Sequence, residues 1–285
     1  MTLVWSALSI GAVYALVAIG YNIVYISSRT FNFAQASLMM LGVFIAYSGL
    51  ISWGLATIWV LLIAVAVVAV AAAVEQLVAV RPVKDMHNVL VTTIGASMAI
   101  DGFVQLKWGS QPLTVPFFGG NDAISFLGGR VYPIQPVLIA LAILVVLGLG
   151  VFSKYSLVGL ALRGISEDRE AAQLRGVNVR AMAFVAFVAT GVLAGFVAIF
   201  VGPQTFAVST LGSELALKGF VVLAIGGFGS MPGTLVGGAI VGLVEALSTR
   251  YLGSEYANLS VFVILVVVLM TRPAGLFVRA TERAV

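Results

Sequence analysis

The sequence predicts an all-α polytopic membrane bundle, and three observations carry that prediction. First, 61% of the 285 residues are apolar and only 9% are charged. A soluble domain carries roughly 25% charged residues, so this chain could not cover a water-facing surface. Disorder is excluded for the opposite reason, because the chain has ample apolar material to bury. Second, the apolar residues fall into nine segments: 3–27, 34–50, 55–79, 88–106, 134–152, 181–202, 215–228, 234–249 and 259–271. A helix crossing the hydrocarbon core needs about 20 mostly apolar residues. The last three segments are short or glycine-broken, which leaves about 8–9 transmembrane helices. Third, the chain has no cysteine, so neither a disulfide framework nor a cysteine metal site is available.

Each element follows in order. Segment 3–27 begins without a basic residue and outruns a signal-peptide core, so it reads as a retained span. All eight prolines stand at segment ends or in loops, which leaves the spans free to form regular helices. Residues 107–133, rich in Gly, Pro and aromatics, form the longest loop on the outer side and are expected as a short external helix, a docking surface or a plain connection. Residues 154–180 form the longest inward loop. The whole chain, 1–285, is expected as one transmembrane domain.

Orientation follows from the basic residues. The net charge of +4 has no bearing on nucleic acid here, because placement matters more than the sum. With 154–180 inside and the spans alternating, Arg29, Arg81, Lys84, Lys154, Arg163, Arg169, Arg175, Arg180, Arg272, Arg279 and Arg283 all fall on the inner side. Only Lys107, Arg130 and Arg250 fall outside, a strong positive-inside bias. The same alternation places Trp5, Trp53, Trp59 and Trp108 at the outer interface, where indole rings are favoured. The N-terminus is expected outside and the C-terminus inside.

The inward segment is larger than a reversal of direction requires. "LRGISEDREAAQLRGVNVR" reads as a short helix with Ser166 as N-cap, Glu167, Asp168 and Glu170 in the first turn, and Gly176 as the stop. It is either a solvated connector or a docking helix for a soluble partner. Ala171 and Ala172 would permit close approach, and Arg169, Glu170 and Arg175 would set register.

Other polar residues mark the apolar spans. Tyr14, Tyr21, Asn22, Asn32 and Gln35 lie on the first helix pair, and Thr92, Thr93 and Ser97 on a later one. They suit either a path for a small polar solute or helix packing. Glu75, Asp101, Lys218 and Glu245 are ionisable and within or near spans, where such groups usually face an interior or a partner. Glu214 and Lys218 are spaced for an i,i+4 pair. "GGFGSMPGTLVGG", with Gly226, Gly227, Gly229, Gly233, Gly237, Gly238 and Pro232, cannot sustain a continuous helix. It is either a tight inward turn flanked by close-packed helices or a broken helix lining a cavity. The lone His87 makes neither a metal site nor a proton relay, and no cluster of metal ligands is present. No phosphate-binding loop of the G-x-x-x-x-G-K-S/T kind occurs, so ATP cannot be bound in that manner. The absence of paired catalytic groups argues against an intramembrane enzyme.

Four stretches carry a resemblance. "EAAQLRG" resembles the EAA loop of ATP-binding-cassette importer permeases, the coupling helix received by the ATPase. "RTFNFAQASLMMLG" resembles the NFA segment of branched-chain amino acid permeases, departing from it at Ala36-Ser37. "GGFGSMPGTLVGG" and "RPAGLF" resemble that family's glycine and C-terminal signatures. All four are in the family's order, and the shorter, LivH type fits best in length. The resemblance implies a type II-like importer permease in a bacterial inner membrane. It implies a second permease of LivM type, two cytoplasmic ATPases that hold the ATP and magnesium, and a periplasmic solute-binding protein. The cargo would be a hydrophobic or branched-chain amino acid or a related small solute. The alternative is a stand-alone secondary transporter of small amphipathic solutes, with Glu75 or Asp101 as proton sites.

Overall fold

The computed structural model describes residues 1–83, 85–120, 122–126 and 129–277. Lys84, Arg279 and Arg283, and the side chain of His87, lie outside the described residues. Eleven α-helices are present among the described residues: α1 Thr2–Ser28, α2 Gln35–Tyr47, α3 Thr57–Glu75, α4 Met86–Trp108, α5 Ile134–Tyr155, α6 Leu157–Glu167, α7 Arg169–Leu174, α8 Val179–Thr205, α9 Leu211–Gly226, α10 Met231–Tyr251 and α11 Ala257–Thr271. Short π turns extend α2 over Ser48–Ser52 and α3 over Gln76–Val80.

Eight helical segments, counting these extensions and the 3-10 turn Ser254–Tyr256 that leads into α11, are long and apolar enough to cross a membrane. The ninth expected span, α9, has 16 residues. At 1.5 Å per residue it covers only about 24 Å, less than a ~30 Å hydrocarbon core, yet with its flanking turns it joins Ala207, paired with Leu113 beyond α4, to the opposite end of the bundle. The loop between α4 and α5 forms no helix among its described residues. It holds a hairpin of β1, Ile124–Phe126, and β2, Gly129–Val131, antiparallel with Ile124 opposite Val131. Arg130 N donates to Thr2 Oγ1 at 3.2 Å, which fastens the hairpin to the start of α1.

Helices α1 and α2 form the buried centre, with α8, α9 and α10 against them and α3, α4, α5 and α11 outside. Residues buried on α1 run almost without interruption from Gly11 to Val24, all round the helix. A helix apolar on every side belongs in the middle of a bundle. Lipid tails are as apolar as leucine, so burial of apolar surface does not drive these helices together; close packing does. Small residues supply it. A Cβ on Gly11 would overlap the carbonyl of Gly238, and one on Gly242 would overlap the carbonyl of Ala7. The α3–α8 contact is built the same way, with Gly191 and Gly195 against Ala72 and Ala64.

Two ends are distinct. At one, the indole of Trp108 donates to Ser48 Oγ at 2.8 Å, and Lys107 lies 4.5 Å over the Trp108 ring. At the other stand the end of α1, helices α6 and α7, the α9–α10 turn and residues 272–277.

Gly11→Val should therefore lower the melting temperature of the purified chain by an amount equivalent to about 1–3 kcal/mol or more. Gly95→Val on α4, where a Cβ meets nothing within 4 Å, should leave it unchanged. Equal effects would remove backbone contact as the basis of the α1–α10 interface.

Candidate functional site

Segment 154–180 carries two helices, α6 and α7, rather than one. Ser156 caps α6 by accepting from Gly159 N at 2.9 Å. Ser166 is not the N-cap of the following helix. It sits in the last turn of α6, where its hydroxyl donates to Arg163 O at 2.7 Å. The cap of α7 is Asp168, in extended backbone conformation, whose Oδ1 accepts from Glu170 N and Ala171 N, both at 3.0 Å. One carboxylate oxygen answers two free amides of the first turn, which a serine already bonded within the preceding helix cannot do. Gly176 ends the helix as expected, with φ of +86°, a conformation a Cβ would strain.

The two alanines have different surroundings. Ala172 is buried against Ile165 and Val179, so it fixes α7 to α6 and α8. Ala171 is exposed, as are Glu167, Asp168, Arg169, Glu170, Arg175 and Gly176. Leu174 is 90% exposed beside them, an apolar anchor that periodicity did not single out because a six-residue helix shows no period.

This segment is tied to the centre of the bundle. Arg29 ends α1 in the left-handed conformation, with φ of 57°. Its guanidinium donates to the carbonyl of Ser166, at the joint between α6 and α7, and to Tyr25 Oη at 3.4 Å. Tyr25 in turn stacks on Phe31 and contacts Phe228, at centroid distances of 5.1 and 5.6 Å.

The glycine segment is a turn with packed flanks. Gly227 and Gly229 take positive φ between α9 and α10, and Gly226 and Gly233 approach backbone to backbone. Gly237 faces the carbonyl of Val222 on α9, and Gly238 that of Gly11 on α1. Asn22 clamps the turn: Gly229 N donates to its Oδ1 at 2.7 Å, and its Nδ2 donates to Ser230 O at 3.1 Å. The C-terminal signature closes the same turn, since Leu276 N donates to Ile225 O at 2.9 Å and Phe277 N to Gly226 O at 3.3 Å. Two motifs some fifty residues apart thus satisfy each other's backbone.

The remaining polar residues form a seam around α1 and α2. Asn32 donates from Nδ2 to Glu75 Oε2 at 3.1 Å and accepts from Ala34 N at 2.9 Å. Gln35 Nε2 donates to Thr190 O at 3.2 Å, and Ser37 and Ser97 share a hydrogen bond of 2.9 Å. Gln35 Oε1, Glu75 Oε1 and Gln76 Oε1 are buried without a partner among the described residues. Tyr21 donates to Ala216 O at 3.4 Å. Thr92 and Thr93 donate to carbonyls of their own helix, Val89 O and Leu90 O, and among the described residues to no other. The expected Glu214–Lys218 pair is replaced: Lys218 Nζ meets Glu245 Oε1 of α10 at 2.5 Å and Tyr14 Oη at 3.0 Å. The inward-facing partner on α10 offers a less hydrated site than an exposed neighbour along α9, so the ion pair forms across helices.

Asn22→Ala strips two backbone groups of their partner and should destabilise the chain by about 1–3 kcal/mol. The measurement is thermal unfolding in detergent; an unchanged midpoint would show that the turn does not depend on the clamp.

The comparisons with known proteins agree with this geometry. Residues 3–271 match the family model described as branched-chain amino acid transport system / permease component. The chain is 32% identical to the high-affinity branched-chain amino acid transport system permease protein LivH of Escherichia coli K12, over 96% of this chain and 94% of the relative. It is 30% identical to the corresponding protein BraD of Pseudomonas aeruginosa, with the same coverage. In fold it is similar to PsaBC from Streptococcus pneumoniae in complex with Fab, with a TM-score of 0.52 at 10% identity, covering 94% of this chain and 91% of that one. The packed helical bundle and the match over almost its whole length show that this chain belongs to the branched-chain amino acid transport permease family.

Proposed function

We propose that the chain is the membrane-spanning permease subunit of an ATP-binding-cassette importer for branched-chain or related hydrophobic amino acids. The observation that carries this is the family match over residues 3–271. In this reading two ATPase subunits, a second permease of LivM type and an outside solute-binding protein complete the system. The chain conducts; the hydrolysing partners drive. Alternation of access needs states that the partners bind with different affinity; that difference shifts the equilibrium between the states, and ATP hydrolysis in the partners drives the cycle.

Helix α7 is the docking element in this reading. Ala171 and Leu174 offer a small and an apolar contact on its exposed face, bounded by Arg169, Glu170 and Arg175. Its inward placement, with the N-terminus outside and the C-terminus inside, is supported by the basic residues around it. The cargo path is assigned to the seam of α2, with Asn32 and Gln35 at its centre and Tyr14, Tyr21, Thr92, Thr93 and Ser97 along it. Support comes from the buried, unpartnered oxygens of Gln35 and Glu75, which are acceptors for an ammonium or amide. Asn22 is occupied by the α9–α10 turn instead.

Ala171→Trp or Leu174→Glu should cut ATP-driven uptake by at least tenfold in proteoliposomes holding the complete system, with membrane insertion intact. Full-rate uptake in both would remove α7 from the docking surface. Gln35→Ala should change the apparent KM for the cargo several-fold. An identical KM for every amino acid tried would move the path elsewhere.

A further inference from the structure

A cavity of about 780 Å³ opens where the end of α5, the first half of α8, the end of α1 and helix α6 fail to close on one another. Most of its wall is apolar, with Leu149, Val185, Leu193 and Phe228 among the lining side chains. Its polar end is cationic. Arg29 and Arg163 both reach it, as do the hydroxyl-bearing residues Ser153 and Ser166. Both guanidiniums are held by neutral oxygens: Arg29 by the Ser166 carbonyl and Tyr25, Arg163 by Ser153 Oγ at 2.6 Å. Among the described residues neither forms an ion pair with a carboxylate, and no acidic side chain lines the cavity.

We propose that this cavity binds an anionic glycerophospholipid, with an acyl chain along the apolar wall and the phosphate between Arg29 and Arg163. Three physical points select this occupant. An amino acid zwitterion would bring an ammonium that finds no anion here, and an unpaired charge in an apolar site is strongly disfavoured. A free phosphate would answer the guanidiniums but leave the apolar volume unfilled, without the dispersion contacts that hydrocarbon supplies. A phospholipid answers both ends at once, and basic pockets between membrane helices suit such headgroups. The two arginines also bind the α6–α7 joint and the end of α5, so an occupied site would stiffen the mount of α7. The inner-leaflet placement rests on the orientation proposed above; the binding chemistry does not.

The test uses the full chain purified in mild detergent and offered an equimolar mixture of dioleoylphosphatidylglycerol and dioleoylphosphatidylcholine. Retained lipids are counted by native mass spectrometry. The wild type should keep one tightly held phosphatidylglycerol. Arg163→Gln should weaken it about fivefold, the equivalent of ~1 kcal/mol for one arginine, and Ala189→Phe, which fills the cavity, should remove it. Retention of phosphatidylcholine should be the same in all three proteins, which also verifies that the variants are folded. Equal retention of phosphatidylglycerol in all three proteins would overturn the proposal, as would no preference between the two lipids. Displacement by millimolar leucine would overturn it in favour of a cargo route through the cavity. Displacement by inorganic phosphate, with no effect of Ala189→Phe, would overturn it in favour of a phosphate site. Neither uptake nor ATP enters the measurement, so a failed importer reading would leave its outcome unaffected.

Discussion

Backbone touching backbone between α1 and α10 is the contact on which the rest of the structure depends. Gly11, Gly238 and Gly242 leave no room for a Cβ between the two helices. In a bilayer, where burying apolar surface yields little, such proximity is what holds a helix in place. It puts α1 at the centre of the bundle. From there Asn22 reaches the α9–α10 turn, and Arg29 reaches the joint between α6 and α7. One buried helix thus positions both the turn that closes two neighbours and the helix that faces the soluble partners in the proposed assembly.

The polar chemistry follows the same logic. Unsatisfied backbone groups are costly in hydrocarbon, and the irregular stretches here answer one another. The end of α9 is completed by Leu276 and Phe277, and the start of α10 by Asn22 and by Ser230 Oγ, which accepts from Gly233 N at 3.1 Å. The ionisable groups are treated likewise: Lys218 finds Glu245, and Glu75 finds Asn32. Among the described residues, buried oxygens without a partner occur on several helices, at Ser9, Asp101, Gln135 and Glu245 as well as at Gln35, Glu75 and Gln76, the last two at the π turn that begins at Gln76. Local departures of this kind are frequent at functional sites.

Much of this is legible in the residues and some is not, for definable reasons. The spans can be read because an uncharged apolar run of about 20 residues matches the thickness of a bilayer core, a length that buried helices of soluble domains seldom need. Gly176 can be read because a glycine after a polar helix is a strong stop, and the packed turn is one of two open readings of the glycine segment. The cap is misplaced from sequence because Ser166 and Asp168 are both able caps, and only the hydrogen bonds of α6 decide between them. The Lys218–Glu245 pair escapes notice because i,i+4 spacing reveals partners along one helix and nothing about those across two. The hairpin at 124–131 escapes because three-residue strands show no alternation to detect. The cavity beside α5 and α8 is a gap between helices, and no local pattern encodes a gap.

Because the chain contains no cysteine, Ala171→Cys places a single thiol on the exposed face of α7. Membrane-impermeant maleimide, applied to oriented vesicles holding the permeases with and without their ATPase subunits, reads that position directly. The thiol should react only from the inner side and should be protected once the ATPases are bound. Reaction from the outer side, or equal reaction with and without the ATPases, would contradict α7 as the inward docking helix.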